Sequence, residues 1–390
     1  MQAPRLVYLV THPVSADLLL RGQLAFMRER GFDVTVISGR GPELERVAVR
    51  EGVRVIPMDI AREMSPAHDA LTLTKLVPVL RSLQPDIVNA STAKAGLLGM
   101  LAARALRVPT RIYLVRGLRL ETTRGALRQL LRGTERIASG CAHEIVCVSR
   151  SVREAAQRER LFARGRAAVV LGDGSSNGVD VARFARGEDR VAEGRRLARA
   201  VGIADDDEVI GFVGRLDPDK GIADLLDAFE RVRAERPRAR LLFIGGGFAD
   251  DHDEPLAARV RSAPGVVAYG KSDDVAPLYA RMDVLAFPSL REGFPNVPIE
   301  AAAAEVPAVG YRSTGVVDAI ADGETGAIVD QHDVRGLAAA LTRYLGDARL
   351  REAHGKAARA RAERSFSREI VWAAWERYYR EHLERARRRR

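Results

Sequence analysis

Only two of the 390 residues are cysteine, Cys141 and Cys147. That is too few for a disulfide framework or a zinc site, and both read as buried thiols. No apolar run approaches the ~20 residues that a spanning helix needs. The N-terminus passes directly into an apolar strand pattern at residues 6–10, without the layout of a signal peptide. A protein made and kept in the cytoplasm is the expectation. The chain also lacks an RNP-like aromatic strand, zinc-finger spacing and a clear helix-turn-helix, which argues against a nucleic-acid partner. Its net charge of +10 nevertheless calls for anions, and anionic lipid or phosphorylated substrates remain.

What is present is globular in composition, with 46% hydrophobic and 29% charged residues. Strands are predicted at residues 6–10, 33–37, 54–57, 87–89, 111–115 and 144–148, with helical patterns between them, as at 75–82 and 96–105. The second half repeats the style at 209–213, 240–244, 266–269, 284–287 and 308–309. Such alternation implies an α/β fold with parallel, doubly wound sheets, and the length suits two Rossmann-like domains facing a cleft. Ligands then belong at the carboxyl ends of the strands. The run Gly172-Asp173-Gly174-Ser175-Ser176-Asn177-Gly178-Val179-Asp180 marks the hinge. Domains are expected at 1–182 and 183–365, followed by a C-terminal segment 366–390. Asn177 and Gly178 are expected to take positive φ. A helix is predicted from 367 to 383, with Ser367 as N-cap and Phe366 stapled on Val371. Its apolar face holds Ile370, Val371, Trp372, Trp375, Tyr379 and Leu383, and a basic tail from Arg385 is expected to fray.

Two segments carry the chemistry. Arg291-Glu292-Gly293-Phe294-Pro295-Asn296-Val297-Pro298-Ile299-Glu300 follows a predicted strand and leads into an alanine-rich helix. Gly293 lets a ligand approach the backbone, and the amides at Asn296 and Val297 form a helix N-terminus suited to an anion. Glu292 and Glu300 add two carboxylates. A nucleotide-sugar needs such a set: sugar hydroxyl contacts, a phosphate cradle and a ribose contact. Upstream, the strand at 209–213 runs into Gly214-Arg215-Leu216-Asp217-Pro218-Asp219-Lys220-Gly221. There Arg215 offers a forked contact and Lys220 a point charge to a diphosphate. Taken singly, each segment also reads as a solvated loop with surface charges.

Together they resemble the donor half of the family-4 retaining glycosyltransferases, which have the two-domain GT-B fold. The family pattern is a Gly-Arg pair, a short spacer and Lys-Gly after one strand, then a glutamate pair after a later one. The resemblance covers nearly the whole chain and is strongest at 172–333 and 91–152. It implies a C-terminal helix crossing back to the first domain. It also implies that Arg215 and Lys220 stabilise the leaving diphosphate, Glu292 orients the donor sugar and Glu300 holds the ribose. Gly214, Gly293, Phe294, Asn296 and Val297 would line the donor site, and Lys271 would lie near the base. The donor it implies is a UDP-sugar.

Three look-alikes are set aside. Gly265-Val266-Val267-Ala268-Tyr269-Gly270-Lys271-Ser272 matches the spacing of a P-loop, but its variable positions favour a strand over a wrapped loop. Asp217-Pro218-Asp219 reads as turn residues capping the following helix rather than as metal ligands, and no catalytic metal or cofactor is expected. Gly245-Gly246-Gly247 is a tight turn, too short for a dinucleotide fingerprint.

In the first half, Arg116 stands near where many family-4 enzymes carry a histidine. Always charged, it cannot act as a base. It can hold a phosphate of donor or acceptor, or form a structural ion pair. Ser91 and Lys94, in Ser91-Thr92-Ala93-Lys94-Ala95-Gly96, resemble the acceptor side of the subset that extends polyprenyl-diphosphate-linked sugars in bacterial envelope-glycan assembly; a solvated Lys94 is the alternative. Arg124, Arg128, Arg132 and Arg136 recur at steps of four, with Leu127, Leu130, Leu131 and Ile137 forming an apolar side. This helix either lies on an anionic membrane surface or is ordinary, with its leucines in the core. The expected function is sugar transfer to a lipid-linked or saccharide acceptor by a cytoplasmic protein peripheral to the membrane. A transferase with a soluble acceptor, and a non-catalytic binder of nucleic acid or anionic lipid, are the competing readings.

Overall fold

The computed structural model describes residues 3–61, 65–162, 165–246 and 254–388. Gly247 of the expected turn and Arg389 and Arg390 of the tail lie outside them. The chain divides into two compact units, Met1–Asn177 with Arg368–Arg390, and Gly178–Ser367. The junctions fall at 177/178 and 367/368 rather than at 182/183 and 365/366. Just inside the second unit, next to both junctions, Val179 N–H donates to Phe366 O at 2.8 Å.

In the first unit the strands are β1 (Arg5–Leu9), β2 (Asp33–Ser38), β3 (Arg54–Pro57), β4 (Ile87–Ser91), β5 (Thr110–Val115), β6 (Glu144–Cys147) and β7 (Ala168–Val169). They form one sheet in the order β3-β2-β1-β4-β5-β6-β7, with every pair parallel. The second unit holds β8 (Glu208–Val213), β9 (Ala239–Ile244), β10 (Val266–Gly270), β11 (Val284–Phe287), β12 (Ala308–Tyr311) and β13 (Gly326–Val329), in the order β10-β9-β8-β11-β12-β13. Strands such as Val284-Leu285-Ala286-Phe287 are buried throughout, because a parallel sheet covered by helices on both faces wets neither side. The short strands β7 and β13 escape sequence reading. β10 spans the P-loop look-alike, so no phosphate-wrapping loop exists there.

In both units strand order reverses beside the first strand, between β1 and β4 and between β8 and β11. At such switch points the loops leaving the carboxyl ends diverge and open a crevice.

The helix Arg368–Arg388 belongs to the first unit. Val371, Trp375, Tyr379 and Leu383, four apart, are buried, while Ile370 is exposed. Tyr379 Oη accepts from Asn89 Nδ2 at 2.6 Å and donates to Tyr8 Oη at 3.2 Å. Trp372 Nε1 donates to Asn177 Oδ1 at 2.8 Å. Phe366, the expected staple residue, packs on Phe294, ring centroids 5.0 Å apart. The basic tail stays helical to Arg388 instead of fraying at Arg385. Near the unit junction, Ser175 and Gly178 take positive φ; Asn177 does not, being held through its amide by Arg21 O and Trp372.

Candidate functional site

The two motif loops of the second unit leave the two strands that flank its switch point. Residues 214–221 follow β8, and residues 288–295 follow β11. Gly221 has φ +66°, and a Cβ there would stand 2.0 Å from Pro288 O, so only glycine lets the two loops pass so closely. Leu290 N–H donates to Asp219 O at 2.8 Å and ties them together. From the next strand, Gly315 (φ +80°) lies where a Cβ would reach within 2.6 Å of Gly293 O, and Glu292 N–H donates to Thr314 O at 2.9 Å.

Those contacts bring Lys220 and Glu292 together. Lys220 Nζ is 2.5 Å from Glu292 Oε1, and Ser289 Oγ donates to the same oxygen at 2.8 Å. Ser289 is 1% exposed, and its carbonyl accepts from Ser313 Oγ at 2.6 Å. Around this pair, Arg215 Nη2 meets Asp217 Oδ2 at 3.0 Å and Arg291 Nη2 meets Asp219 Oδ2 at 2.6 Å. Three cations therefore sit in two adjoining loops, each beside a carboxylate. Asp217 also caps the short 3-10 turn Pro218–Lys220 by accepting from Asp219 N–H; the following helix Ile222–Glu235 begins at Gly221 instead.

The helix Asn296–Ala303 starts at the predicted place. Its N-cap, Pro295, has no side-chain acceptor, so the first-turn amides at Asn296 and Val297 are left for a ligand or solvent. Glu300, one turn further, accepts from Tyr279 Oη at 2.9 Å. Burial, and after it the neighbouring Glu300, raises the Tyr279 pKa well above its ordinary value, so this phenol stays a donor. Phe294 lies against Phe366 and thereby anchors its loop. Lys271 is exposed just beyond β10, the edge strand of the sheet, two strands from β8. Gly214 follows β8 and hydrogen-bonds Ile244 O.

In the first unit, Ser91 ends β4 and Arg116 follows β5. Arg116 Nε donates to Ser91 Oγ at 3.0 Å and Nη1 to Ser176 Oγ at 2.6 Å. Burial lowers the Arg116 pKa to about 10, which leaves it charged at neutral pH. Its partners are hydroxyls, not a carboxylate of a structural ion pair. Lys94 differs from expectation. It is 7% exposed and its Nζ is 2.8 Å from Asp69 Oδ1. It is therefore not a solvated lysine at a helix start. Its position in the first turn of Ala93–Ala105 turns it toward the neighbouring helix Pro66–Leu83, which carries Asp69.

The basic helix Gly125–Cys141 departs from the ordinary reading as well. Leu131 is buried, but Leu127, Leu130 and Ile137 are 42%, 50% and 50% exposed. Arg124 and Arg136 are exposed, while Arg128 pairs with Glu159 at 2.7 Å. No helix among the described residues is long and apolar enough to cross a membrane.

Sequence reasoning missed Ser289, Tyr279, Ser313 and Gly315. Ser289 could have been suspected as a hydroxyl between strand and glutamate; Tyr279 sits in an apolar stretch that reads as core.

Residues 195–361 match the family described as glycosyl transferases group 1, and residues 22–183 match glycosyltransferase family 4. The chain is 36% identical over 380 residues to the capsular polysaccharide biosynthesis glycosyltransferase CapM of Staphylococcus aureus, covering 97% of each. It is 24% identical over 292 residues, 74% of this chain and 73% of the other, to the UDP-Gal:alpha-D-GlcNAc-diphosphoundecaprenol alpha-1,3-galactosyltransferase of Escherichia coli. Among solved structures, Anabaena HepE in complex with UDP and glucose superposes with a TM-score of 0.80 at 19% identity, over 97% of this chain and 100% of that one. The motif loops, the paired switch points and these matches agree: the chain belongs to the family-4 glycosyltransferases and has their GT-B fold.

Proposed function

We propose that this glycosyltransferase moves a sugar, with retention, from a UDP-linked donor to a polyprenyl-diphosphate-linked saccharide during envelope polysaccharide assembly. The observation that carries the reading is the joining of Lys220 and Glu292 at the β8/β11 switch point, flanked by Arg215 and by the amides at Asn296 and Val297. The acceptor hydroxyl attacks the anomeric carbon on the face from which the diphosphate leaves. Charge grows on that diphosphate in the transition state, and Arg215, Lys220 and the helix amides are arranged to stabilise it. Lys220 exchanges part of its contact with Glu292 for phosphate oxygens. Glu292, still held by Ser289, then accepts hydrogen bonds from sugar hydroxyls. Glu300, oriented by Tyr279, holds the ribose diol, and Gly293 keeps the backbone out of the sugar's way.

The names of the relatives support the substrate class. CapM is named for capsular polysaccharide biosynthesis, the Escherichia coli relative for a diphosphoundecaprenol acceptor, and HepE was solved with UDP. Membrane attachment fits the exposed Leu127, Leu130 and Ile137 beside Arg124 and Arg136. Arg116, with Ser91 and Ser176, is the candidate for an acceptor or donor phosphate. Calorimetry with UDP tests the division of labour. Glu300→Ala should weaken UDP binding about tenfold, the loss of one charge-assisted hydrogen bond. Glu292→Ala should spare UDP binding yet cut transfer to a polyprenyl-diphosphate-linked acceptor. Equal loss of UDP affinity in both variants contradicts the assignment.

A further inference from the structure

A cavity of about 220 Å³ lies in the first unit at the end of the sheet away from Ser91 and Arg116. It is lined by Arg107, Thr110, His143, Glu144, His382 and Arg385, among others. Thr110 and Glu144 open β5 and β6, so the cavity sits where these strands begin, whereas Arg116 follows the end of β5. Six residues of strand at about 3.3 Å each place roughly 20 Å between the two ends. It is thus a separate place from the switch point, and nothing in the proposed transfer reaction uses it.

Behind the lining, three further arginines are held by backbone carbonyls at positions 140–143. Arg104 Nη1 donates to Gly140 O at 3.0 Å, Arg111 Nε to Cys141 O at 2.7 Å and Arg166 Nη1 to His143 O at 3.0 Å. These guanidiniums rest on carbonyls at and just beyond the C-terminus of the helix Gly125–Cys141, which offset only part of their charge. Burial and then the neighbouring Arg104, with Arg166 further down, lower the Arg111 pKa, a mark of mutual repulsion. Arg107 and Arg385 add two exposed guanidiniums at the mouth. The one carboxylate in the lining, Glu144, is already engaged. His382 Nδ1 is 3.2 Å from its Oε1, and Tyr378 Oη donates to its Oε2 at 3.4 Å. Although burial pushes the other way, His382 and Arg385 help to hold the Glu144 carboxyl below its ordinary range. His382 is 6% exposed, so its imidazole is fixed in the cavity wall.

We propose that this cavity is a second anion site, which takes a phosphate group between Arg107 and Arg385, with His143 and His382 behind it. Planar guanidiniums at a mouth and imidazole N–H groups in the wall are the donors that phosphate oxygens need. The ligand is a phosphomonoester or free phosphate; an anionic lipid headgroup and a soluble phosphate share that chemistry. Occupation would neutralise the charges of Arg107 and Arg385 and tie the end of the helix Arg368–Arg388 to the sheet.

The test uses the full chain and orthophosphate, followed by imidazole NMR at constant ionic strength. The signals of His143 and His382 should shift saturably with phosphate and not with chloride. Because this readout is local, phosphate at the donor loops does not confuse it, and it stands or falls apart from the transfer reading. The variant Arg107→Gln/Arg385→Gln should weaken the response by about tenfold or more, the loss expected for removing charged donors. Glutamine avoids β-branching at position 107, whose φ is +53°. A parallel arm floats parent and variant with phosphatidylcholine vesicles, with and without phosphatidic acid. Loss of the NMR response alone identifies a soluble phosphate as ligand. Loss of phosphatidic acid binding in the variant identifies a headgroup. Phosphate shifts and flotation that are the same in parent and variant overturn the proposal. So does a variant that only melts earlier. Should the double substitution prevent folding, Arg385→Gln alone, near the exposed end of its helix, carries the same comparison.

Discussion

The two units share a strand order, and each places a lysine–carboxylate pair beside its switch point. In the first unit Lys94 meets Asp69 with side chains 6% and 16% exposed. In the second, Lys220 meets Glu292 with 21% and 16% exposed, among further cations that reach solvent. A second parallel runs through tyrosine. Tyr113 donates to the buried Glu135 at 2.6 Å, and Tyr279 to the half-buried Glu300 at 2.9 Å. The same chemistry serves packing in one unit and faces a crevice in the other. The two carboxylates are equally exposed, so the depth of the lysine decides between them: the sealed Lys94 cannot turn to a ligand, whereas the more open Lys220 can.

The sharpest way to break this comparison is to remove each lysine. Lys94→Met should cost about 3–5 kcal/mol of stability, because Asp69 is left charged and largely buried. Chemical denaturation of the variant would measure it, and a loss under 1 kcal/mol would erase the distinction between the two pairs. In the open pair the loss moves to catalysis. Lys220→Ala or Arg215→Ala should lower kcat about 10²-fold, the scale of losing one preorganised charge stabiliser. The unfolding free energy of Arg215→Ala should stay within about 1 kcal/mol of the parent, and Lys220→Ala, whose Glu292 keeps its bond from Ser289, should lose less than Lys94→Met. Near-normal turnover in both variants would show that the loop cations do not act on the diphosphate.

Glu135 sharpens the tyrosine parallel. Burial raises its pKa from the usual 4.5 to about 7, against the opposing pull of the Tyr113 hydrogen bond. The folded state therefore favours the neutral acid. The resulting stability is fully present below about pH 4.5 and is lost as pH rises through about 7. Glu135→Gln should remove this slope, gaining on the order of 3 kcal/mol over the parent at pH 8 relative to pH 4.5. Parallel stability curves for the two proteins would refute it. The smallest effect concerns the outer face of the helix Gly125–Cys141. Replacing Arg124, Arg128, Arg132 and Arg136 with glutamine should abolish salt-sensitive binding to anionic vesicles. It should slow transfer to a lipid-linked acceptor several-fold and leave a short soluble acceptor unaffected. A quadruple variant that floats like the parent leaves this helix a packing role alone.

Much of the geometry of the two motif loops was legible because its signals are local. A buried strand, a glycine, then cations or glutamates at fixed spacing describe loops whose geometry follows from the chain itself, and Lys220 and Glu292 do meet. The solvated alternative for Lys94 fails because its burial depends on Asp69, 25 positions earlier on another helix. The exposed Leu127, Leu130 and Ile137 were ambiguous for the same reason. Periodicity identifies an apolar stripe but does not say what covers it. Ser289 and Tyr279 were missed because a lone serine and a tyrosine in an apolar run carry no spacing signal.

The sequence by itself determined the alternation of strands and helices, the family and the two motif loops. These rest on side-chain periodicity, glycine conformation and short-range spacing, all properties of neighbouring residues. Only the tertiary structure decided which charges are sealed and which stay open, that the C-terminal helix packs on Tyr8 and Asn89, and that Arg107 and Arg385 line one cavity with His143 and His382 where β5 and β6 begin. Burial and electrostatic neighbourhood are sums over residues distant in the chain, and no window of sequence contains them.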